Sequence, residues 1–273
     1  MKFADLHTHT VFSDGTKSPE GLVAEAKKQR LDCIAVCDHD TVGAVSQALS
    51  FGSKQGVEVL PGIELSTEFE GIEVHLLGYM IDPQNPALKE KLDFLKNNRV
   101  HRIYEIVGRL ESLGVKLKPE SVFDIANGGT PGRLHIARAM LKEKLVNTIN
   151  EAFVRFIGDR SPAYVCGFRL EPQEAIRLIK QAGGVSVLAH PYSIKRDELI
   201  PVLAAAGLSG LEVYYPEHTQ SMINFYLNLA QKYNLLVTGG SDYHGAAKPD
   251  VKMGVVRIPY ELVEKIKERA GHG

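Results

Sequence analysis

The chain has 273 residues, of which 44% are hydrophobic and 24% charged, so it is long enough for one large core or for a core domain with an insertion. The formal net charge of -1 argues against a general electrostatic grip on long duplex nucleic acid. A small basic pocket that holds phosphates remains compatible with this balance.

Cysteine content and hydropathy indicate the compartment. Three cysteines, Cys33, Cys37 and Cys166, form no disulfide pattern and indicate a reducing cytoplasm. The N-terminus has no apolar stretch of signal-peptide length, and no later run approaches the roughly 20 apolar residues of a membrane span. We therefore expect a cytoplasmic protein without a membrane partner.

Strands and helices alternate over the first eighty residues. Ser18 and Pro19 have the residue types of a helix cap and of a first helical position. Short apolar runs between the helices predict strands. In chain order, we predict a strand at 3–6, a helix at 19–30, a strand at 33–37, a helix at 43–54, a strand at 57–61, a hairpin turn at 68–71 and a strand at 71–79.

From residue 83 to residue 168 the pattern is that of amphipathic helices. Apolar residues from Leu88 to Leu110 predict one or two long helices, and shorter helices are predicted at 120–126, 134–142 and 150–157. Alternation then resumes, with helices at 172–182, 197–206 and 217–232 and strands at 185–189, 210–213 and 235–238. We predict two domains: a barrel of residues 1–82 and 169–273, and a helical insertion of residues 83–168 that recognises substrate.

Seven short strands that alternate mostly with helices favour a parallel α/β barrel, in which catalytic groups gather at the C-terminal strand ends. His7 and His9, two residues apart at the end of the first strand, leave the same face and could bind one divalent metal. Two polar residues at a strand end are an equally ordinary explanation of this pair alone. Later strand ends repeat the pattern with seven further candidates: Asp14, His39, Glu64, His75, His190, Asp242 and His244.

Histidine placement favours a metal site. Of the ten histidines, six lie at or near predicted strand ends, which chance would not favour. Nitrogen and oxygen ligands without a thiolate suit two or three ions of Mn, Fe or Zn. Cys33 and Cys37 could share a face as thiolate ligands, but we interpret them as buried small hydrophobes because no second cysteine pair accompanies them.

Six motifs in chain order resemble those of the PHP family, named for polymerase and histidinol phosphatase. They are HTHTVFSDG, CDHDT, GIELS, the single His75, LAHP and GGSDYHG. The resemblance covers residues 1 to about 80 and about 170 to 250, and it implies a distorted (β/α)7 barrel with three metals. The implied ligand sets are His7, His9, Glu64 and Asp242 for the first metal, Glu64, His75 and His190 for the second, and Asp14, His39 and His244 for the third.

The helical segment resembles the insertion of the subgroup that acts on nucleoside 3′,5′-bisphosphates and on short RNA 5′ ends. We expect hydroxide that bridges two metals to attack a phosphate monoester, since the bound cations lower the pKa of water. On the strength of the resemblance we assign Arg133, His135 and Arg160 to the second phosphate, which arginine forks and a helix N-terminus suit. Without the resemblance, each arginine would be interpreted as a solvated surface charge.

His218 follows a strand end and could protonate the leaving group, although an ordinary histidine at a helix start fits as well. The function we expect is removal of the 3′-phosphate from nucleoside 3′,5′-bisphosphates, giving the 5′-monophosphate, together with trimming of short oligonucleotides from the 5′ end. One alternative is histidinol phosphatase or another small-molecule phosphatase. An alternative of another class is a noncatalytic metal-binding regulatory module, which the complete ligand set disfavours.

Overall fold

The computed structural model describes residues 1–126, 128–168 and 170–271. Within these ranges the chain forms eight strands and ten α-helices. The strands are β1 (Phe3–Thr8), β2 (Cys33–Val36), β3 (Glu58–Phe69), β4 (Ile72–Tyr79), β5 (Val185–Leu188), β6 (Gly210–Tyr214), β7 (Leu236–Gly239) and β8 (Ile258–Pro259). The helices are α1 (Pro19–Lys28), α2 (Val45–Gln55), α3 (Pro86–Ser112), α4 (Pro119–Ala126), α5 (Arg133–Lys142), α6 (Ile149–Ala152), α7 (Pro172–Gln181), α8 (Leu199–Ala205), α9 (Gln220–Lys232) and α10 (Tyr260–Arg269).

The strands form one sheet in the order β7-β6-β5-β4-β3-β2-β1-β8. The segment after β7 closes the sheet against β1, since the His9 N–H donates to the Tyr243 carbonyl at 2.9 Å and the Tyr243 N–H donates to the His7 carbonyl at 3.2 Å. The expected distorted (β/α) barrel is thereby confirmed. The two-residue strand β8, which pairs antiparallel with β1, and helix α10 were not predicted.

Strand β4 departs from the expected parallel arrangement, because it runs antiparallel to both β3 and β5. The predicted hairpin turn is confirmed and explains the direction: a crossover to a parallel strand needs a dozen or more residues, and this turn has two, Glu70 and Gly71. The pairing also corrects the length of β3. That strand was predicted to end at Pro61 but continues to Phe69, because residues from Gly62 onward pair with β4.

The insertion builds a hydrophobic core of its own. Helix α3 is capped by Asn85, whose side chain accepts a hydrogen bond from the Leu88 N–H at 3.0 Å. Its first half packs Leu88, Leu92 and Leu95 into the core of the barrel, whereas its second half forms a separate cluster with α4, α5 and α6. The domain boundaries stay a prediction, and residues 169 and 272–273 of the second barrel segment lie outside the described residues.

Cys33 and Cys37 are free thiols with no exposed surface, which confirms that they are core residues of the barrel. Burial raises the pKa of both thiols well above the usual value, so they stay neutral. Cys166 is exposed and free. Among the described residues, no helix is long and apolar enough to cross a membrane.

Gly240 allows the barrel to close. An added Cβ would lie 2.3 Å from the His7 backbone nitrogen and 2.8 Å from its Cα, and backbone atoms within a sheet cannot move away. We expect Gly240→Ala to lower the free energy of unfolding by about 3 kcal/mol through overpacking. Chemical denaturation at fixed metal concentration measures this effect.

The matched control is Gly108→Ala in helix α3. In the described structure, an added Cβ at Gly108 meets no atom within 4 Å apart from the backbone of its own helix, so alanine should stabilise the fold by roughly 0.5–1 kcal/mol through helix propensity. Equal stability of the two variants would contradict the close approach of Gly240 to β1.

Candidate metal and substrate site

All nine predicted ligands meet at one mouth of the barrel. The strand-end expectation is confirmed for His9, His39, His190, Asp242 and His244, each of which follows a strand. His7, Glu64 and His75 instead lie within β1, β3 and β4, and Asp14 lies on the loop after β1. The barrel therefore brings together residues that are as many as 237 positions apart, His7 and His244.

Glu64 lies at the centre of the cluster, and its side chain is 1% exposed. Its two carboxylate oxygens lie within 3.3 Å of ring nitrogens of His7, His9, His39, His75 and His190. Burial would raise the pKa of Glu64, but the surrounding imidazoles hold it well below the usual value. A charged carboxylate shared by several imidazoles is a suitable bridge between metal ions.

Asp242 presents its two oxygens to different partners. Its Oδ1 lies 3.1 Å from His9 Nε2 and 3.3 Å from His244 Nδ1. Its Oδ2 accepts hydrogen bonds from the Tyr215 hydroxyl at 3.1 Å and from Lys248 Nζ at 2.6 Å. The two outer donors fix the carboxylate so that one oxygen faces the histidines.

Asp14 approaches the cluster from the loop after β1. Its Oδ1 lies 3.1 Å from His244 Nε2 and 3.8 Å from His9 Nδ1, and its Oδ2 lies 3.9 Å from His39 Nε2. Its side chain is 22% exposed, whereas those of His9 and His244 are exposed by 1% or less. Asp14 is therefore a candidate ligand that a loop supplies on the rim of the cluster.

The cluster fits divalent cations. Four buried ring nitrogens of the cluster make no hydrogen bond in the described structure, namely His9 Nδ1, His9 Nε2, His39 Nδ1 and His75 Nδ1. Such nitrogens are costly to bury unless a cation or a donor satisfies them. Donor atoms within 4.8 Å of one another form three groups: His9, Asp14, His39 and His244; His7, His9, Glu64 and Asp242; and His39, Glu64 and His75.

The first implied ligand set is one of these geometric groups, and the other two overlap with the remaining groups. His9 joins the Asp14 group, and His39 joins Glu64 and His75. His190 Nε2 lies 3.2 Å from Glu64 Oε1, at the edge of the cluster. Which residues share which ion stays a prediction.

The local electrostatics shift the pKa values of His9 and His75 in opposite directions. Burial lowers the pKa of His9 to about 3, with the adjacent His244 adding to the effect, so His9 is neutral and ready to bind a metal. Burial would also lower the pKa of His75, but Glu64 and Glu73 raise it to about 10. A cation at His75 must displace that proton, so we expect metal affinity to rise with pH.

Three buried acids that support the cluster were missed in the sequence. Glu212 on β6 lies with Oε1 2.9 Å from His7 Nδ1 and accepts the His190 N–H at 2.7 Å. Asp5 accepts hydrogen bonds from Ser241 and Gly254, and Asp38 accepts from Thr10 and Ser13. An acid inside an apolar strand, as in GLEVY, was the available signal.

A cavity of about 250 Å³ opens between the cluster and the insertion. Asp14, His39 and His75 line it from the barrel. The cationic and aromatic residues that line it from the insertion are Arg99, Arg102, Arg133, His135, Phe153 and Phe168. Arg99 and Arg102 were not predicted as site residues, although their spacing of three on α3 places them on one helix face.

Two of the three residues predicted to bind the second phosphate line this cavity. Arg133, at the start of α5, donates to Asp159 at 2.6 Å. His135 Nδ1 accepts the Gly132 N–H at 3.1 Å, and burial lowers its pKa to about 4, so the ring is neutral. Arg160 is exposed on a turn and is not among the described residues that line the cavity.

His218 is buried outside the cavity lining. Its Nδ1–H donates to the Val213 carbonyl at 2.8 Å, and its ring lies 5.4 Å from the Tyr215 ring. Tyr215 in turn contacts Asp242 and the His190 ring. The structure therefore places one aromatic layer between His218 and the ligand cluster, and its catalytic role stays a prediction.

This chain is similar to proteins that contain a PHP domain. Residues 5–182 match the family model of the PHP domain. A 5′-3′ exoribonuclease of Haemophilus influenzae is 31% identical, with 88% of this chain and 89% of the relative covered. A phosphoribosyl 1,2-cyclic phosphate 1,2-diphosphodiesterase of Eggerthella lenta is also 31% identical, with 88% and 94% covered.

A 3′,5′-nucleoside bisphosphate phosphatase of Chromobacterium violaceum is 30% identical, with 89% of this chain and 88% of the relative covered. Among solved structures, a Bifidobacterium adolescentis protein predicted to be a metal-dependent phosphoesterase superposes with a TM-score of 0.90 at 33% identity. That match covers 97% of this chain and 96% of the other.

Proposed function

We propose a substrate for this chain, which belongs to the PHP-domain family of metal-dependent phosphoesterases. It removes the 3′-phosphate from nucleoside 3′,5′-bisphosphates and leaves the 5′-monophosphate. We further propose that it holds two to three ions of Mn, Fe or Zn and acts in the cytoplasm. The three free thiols support a reducing compartment. The histidine and carboxylate donors support this choice of metals.

One observation carries the proposal: a single cavity joins the ligand cluster to three guanidinium groups. A substrate with two phosphates can place one at the cluster and the other at the arginines. Arg133 is paired with Asp159, but that carboxylate is 70% exposed, and exposed ion pairs contribute little. A phosphate can therefore replace Asp159 at modest cost.

Some residues of the chain would hold the metal ions, and others would bind the phosphate that is not cleaved. Bound divalent cations would supply Lewis acidity and lower the pKa of water, which lets hydrolysis run near neutral pH. Glu212 orients the His7 ring, and Tyr215 and Lys248 orient the Asp242 carboxylate. Arg133 and the first turn of α5 would hold the phosphate that is not cleaved.

Short oligonucleotides are a second candidate substrate. The observation that favours them is the similarity to the exoribonuclease over 88% of the chain. The cavity has exposed aromatic surface at Phe168, on which an additional base could stack. This activity would use the same cluster and the same cleavage chemistry.

The test is Arg133→Ala. We expect the KM for adenosine 3′,5′-bisphosphate to rise roughly 10- to 100-fold with a smaller change in kcat, because a charge-assisted contact of about 1.5–3 kcal/mol is lost. The KM for adenosine 3′-monophosphate should stay unchanged, since this substrate lacks the second phosphate. Steady-state phosphate release measures both.

The matched control is Arg155→Ala, an insertion arginine whose side chain is 57% exposed and paired with Glu151. It should behave as the wild type on both substrates. An unchanged KM for the bisphosphate in Arg133→Ala, or an equal rise for the monophosphate, would refute the assignment of the second phosphate to Arg133.

A further inference from the structure

Asp14 lies on a loop of residues 10–17, which we call the Asp14 loop. Hydrogen bonds to the barrel hold this loop at both ends. At its start, the Thr10 N–H and hydroxyl and the Ser13 hydroxyl all donate to Asp38, at 2.6–2.7 Å. At its end, the Thr16 N–H donates to the His244 carbonyl at 3.1 Å. These contacts hold the residues on either side of Asp14, Ser13 and Thr16, but none of them involves the backbone carbonyl of Asp14 itself. That carbonyl is left for other groups to fix.

The insertion supplies those groups. The Thr130 N–H donates to the Phe12 carbonyl at 3.0 Å. Gly129 lies so close that an added Cβ would be 2.7 Å from the same carbonyl oxygen. From the second turn of α5, Arg138 Nη2 donates to the backbone carbonyl of Asp14 itself at 3.1 Å.

Asp14 is the member of its metal group that depends most on such contacts. His9 directly follows β1, and its N–H is bonded to the Tyr243 carbonyl across the barrel. His39 lies three residues after β2 and forms a β-bridge with Glu64. Asp14 has no strand beside it, and its side chain is the most exposed of the group at 22%. A shift of its peptide group would move the carboxylate away from His244.

We propose that Arg138 is a positioning residue for Asp14, through which the insertion completes the metal group of His9, Asp14, His39 and His244. The guanidinium is half-buried between α5 and the loop and donates to the carbonyl of the ligand residue. Partners of this kind around a metal ligand commonly change metal affinity 10- to 100-fold when removed. The insertion would then be part of the metal site as well as a wall of the substrate cavity.

The test is Mn²⁺ binding by Arg138→Met, which removes the donor and keeps most of the apolar side chain. Equilibrium dialysis against a series of free Mn²⁺ concentrations, with metal content from mass spectrometry, gives stoichiometry and affinity. We expect one class of sites to weaken roughly 10- to 100-fold while the others keep wild-type affinity. Phosphate release should recover as Mn²⁺ is raised, which loss of structure alone would not produce.

Arg155→Met is the matched control and should bind Mn²⁺ as the wild type does, because its side chain is exposed on the insertion. Wild-type stoichiometry and affinity in Arg138→Met would overturn the proposal. If the methionine variant does not fold, Arg138→Gln is scored in the same way, because its terminal nitrogen lies two bonds short of the Nη2 that donates to the Asp14 carbonyl. At least a several-fold weakening of one site class then supports the proposal, and wild-type binding overturns it. The binding measurement is independent of which phosphate ester is the substrate.

Discussion

Replacement of Glu64 by Gln should lower phosphate release by roughly 10³-fold and remove most of the bound metal. The side chain keeps its shape, but it loses the negative charge that five imidazoles surround and that would bridge cations. Several kcal/mol of metal-derived stabilisation of the transition state correspond to about three powers of ten in rate. Asp14 and Asp242, the other two carboxylates of the cluster, each lie within 4 Å of ring nitrogens of only three imidazoles in the described structure.

The measurement combines metal content per chain with initial rates on adenosine 3′,5′-bisphosphate. Glu70→Gln is the matched control, since Glu70 lies at the exposed turn of the same hairpin, with a side chain that is 64% exposed. It should keep wild-type metal content and rate. A Glu64→Gln protein with full metal content and full rate would contradict a central role of Glu64.

Removal of the metals by a chelator should abolish phosphate release and lower the melting temperature by several degrees. A cation that binds only the folded chain at 100 times its Kd stabilises it by about 2.7 kcal/mol. The buried histidine nitrogens without hydrogen bonds show where this free energy would be gained. Addition of Mn²⁺ should restore both properties, and differential scanning calorimetry with rate measurements checks this.

The stabilisation by metal should grow as the pH rises, because Glu64 and Glu73 raise the pKa of His75 to about 10 and a bound cation must displace the proton. Glu64→Gln should show little stabilisation by Mn²⁺ at any pH. Phosphate release that does not require metal, or a melting temperature that does not change when Mn²⁺ is added, would exclude the metal site as the catalytic centre.

The barrel and its ligand cluster were largely readable from the sequence. Short apolar runs that end in His or acid predicted the strands, and the barrel brings their ends together. His75 reaches the same place from within the antiparallel strand β4. The length of β3 was missed because the hairpin pairing with β4, and not local composition, extends it to Phe69. Strand β8 has two residues and no periodicity of its own, so only its pairing with β1 reveals it.

Residues that support the site were harder to find. Glu212 is a single acid in a five-residue strand, where a residue facing solvent would give the same local pattern. Arg99 and Arg102 lie on α3, whose amphipathic pattern predicts which face of the helix is buried. The pattern does not predict what the polar face contacts. Arg138 was not singled out, because its partner Asp14 is 124 positions away.

The position of Arg160 illustrates the limit of assigning recognition residues from a motif alone. Arg133 and Arg160 both follow glycine-containing turns, yet the structure directs Arg133 to the cavity and leaves Arg160 exposed. The difference arises from α5, which begins at Arg133 and is anchored to the Asp14 loop.

The proposed function requires that the cluster cleaves the 3′-phosphate of a substrate whose other phosphate is held by the insertion. The most direct measurement is product analysis after incubation of Mn-loaded protein with adenosine 3′,5′-bisphosphate and, in parallel, with phosphoribosyl 1,2-cyclic phosphate. We predict adenosine 5′-monophosphate and inorganic phosphate in equal amounts, with much slower turnover of the cyclic phosphate. Release of adenosine 3′-monophosphate, or preference for the cyclic phosphate, would contradict this function.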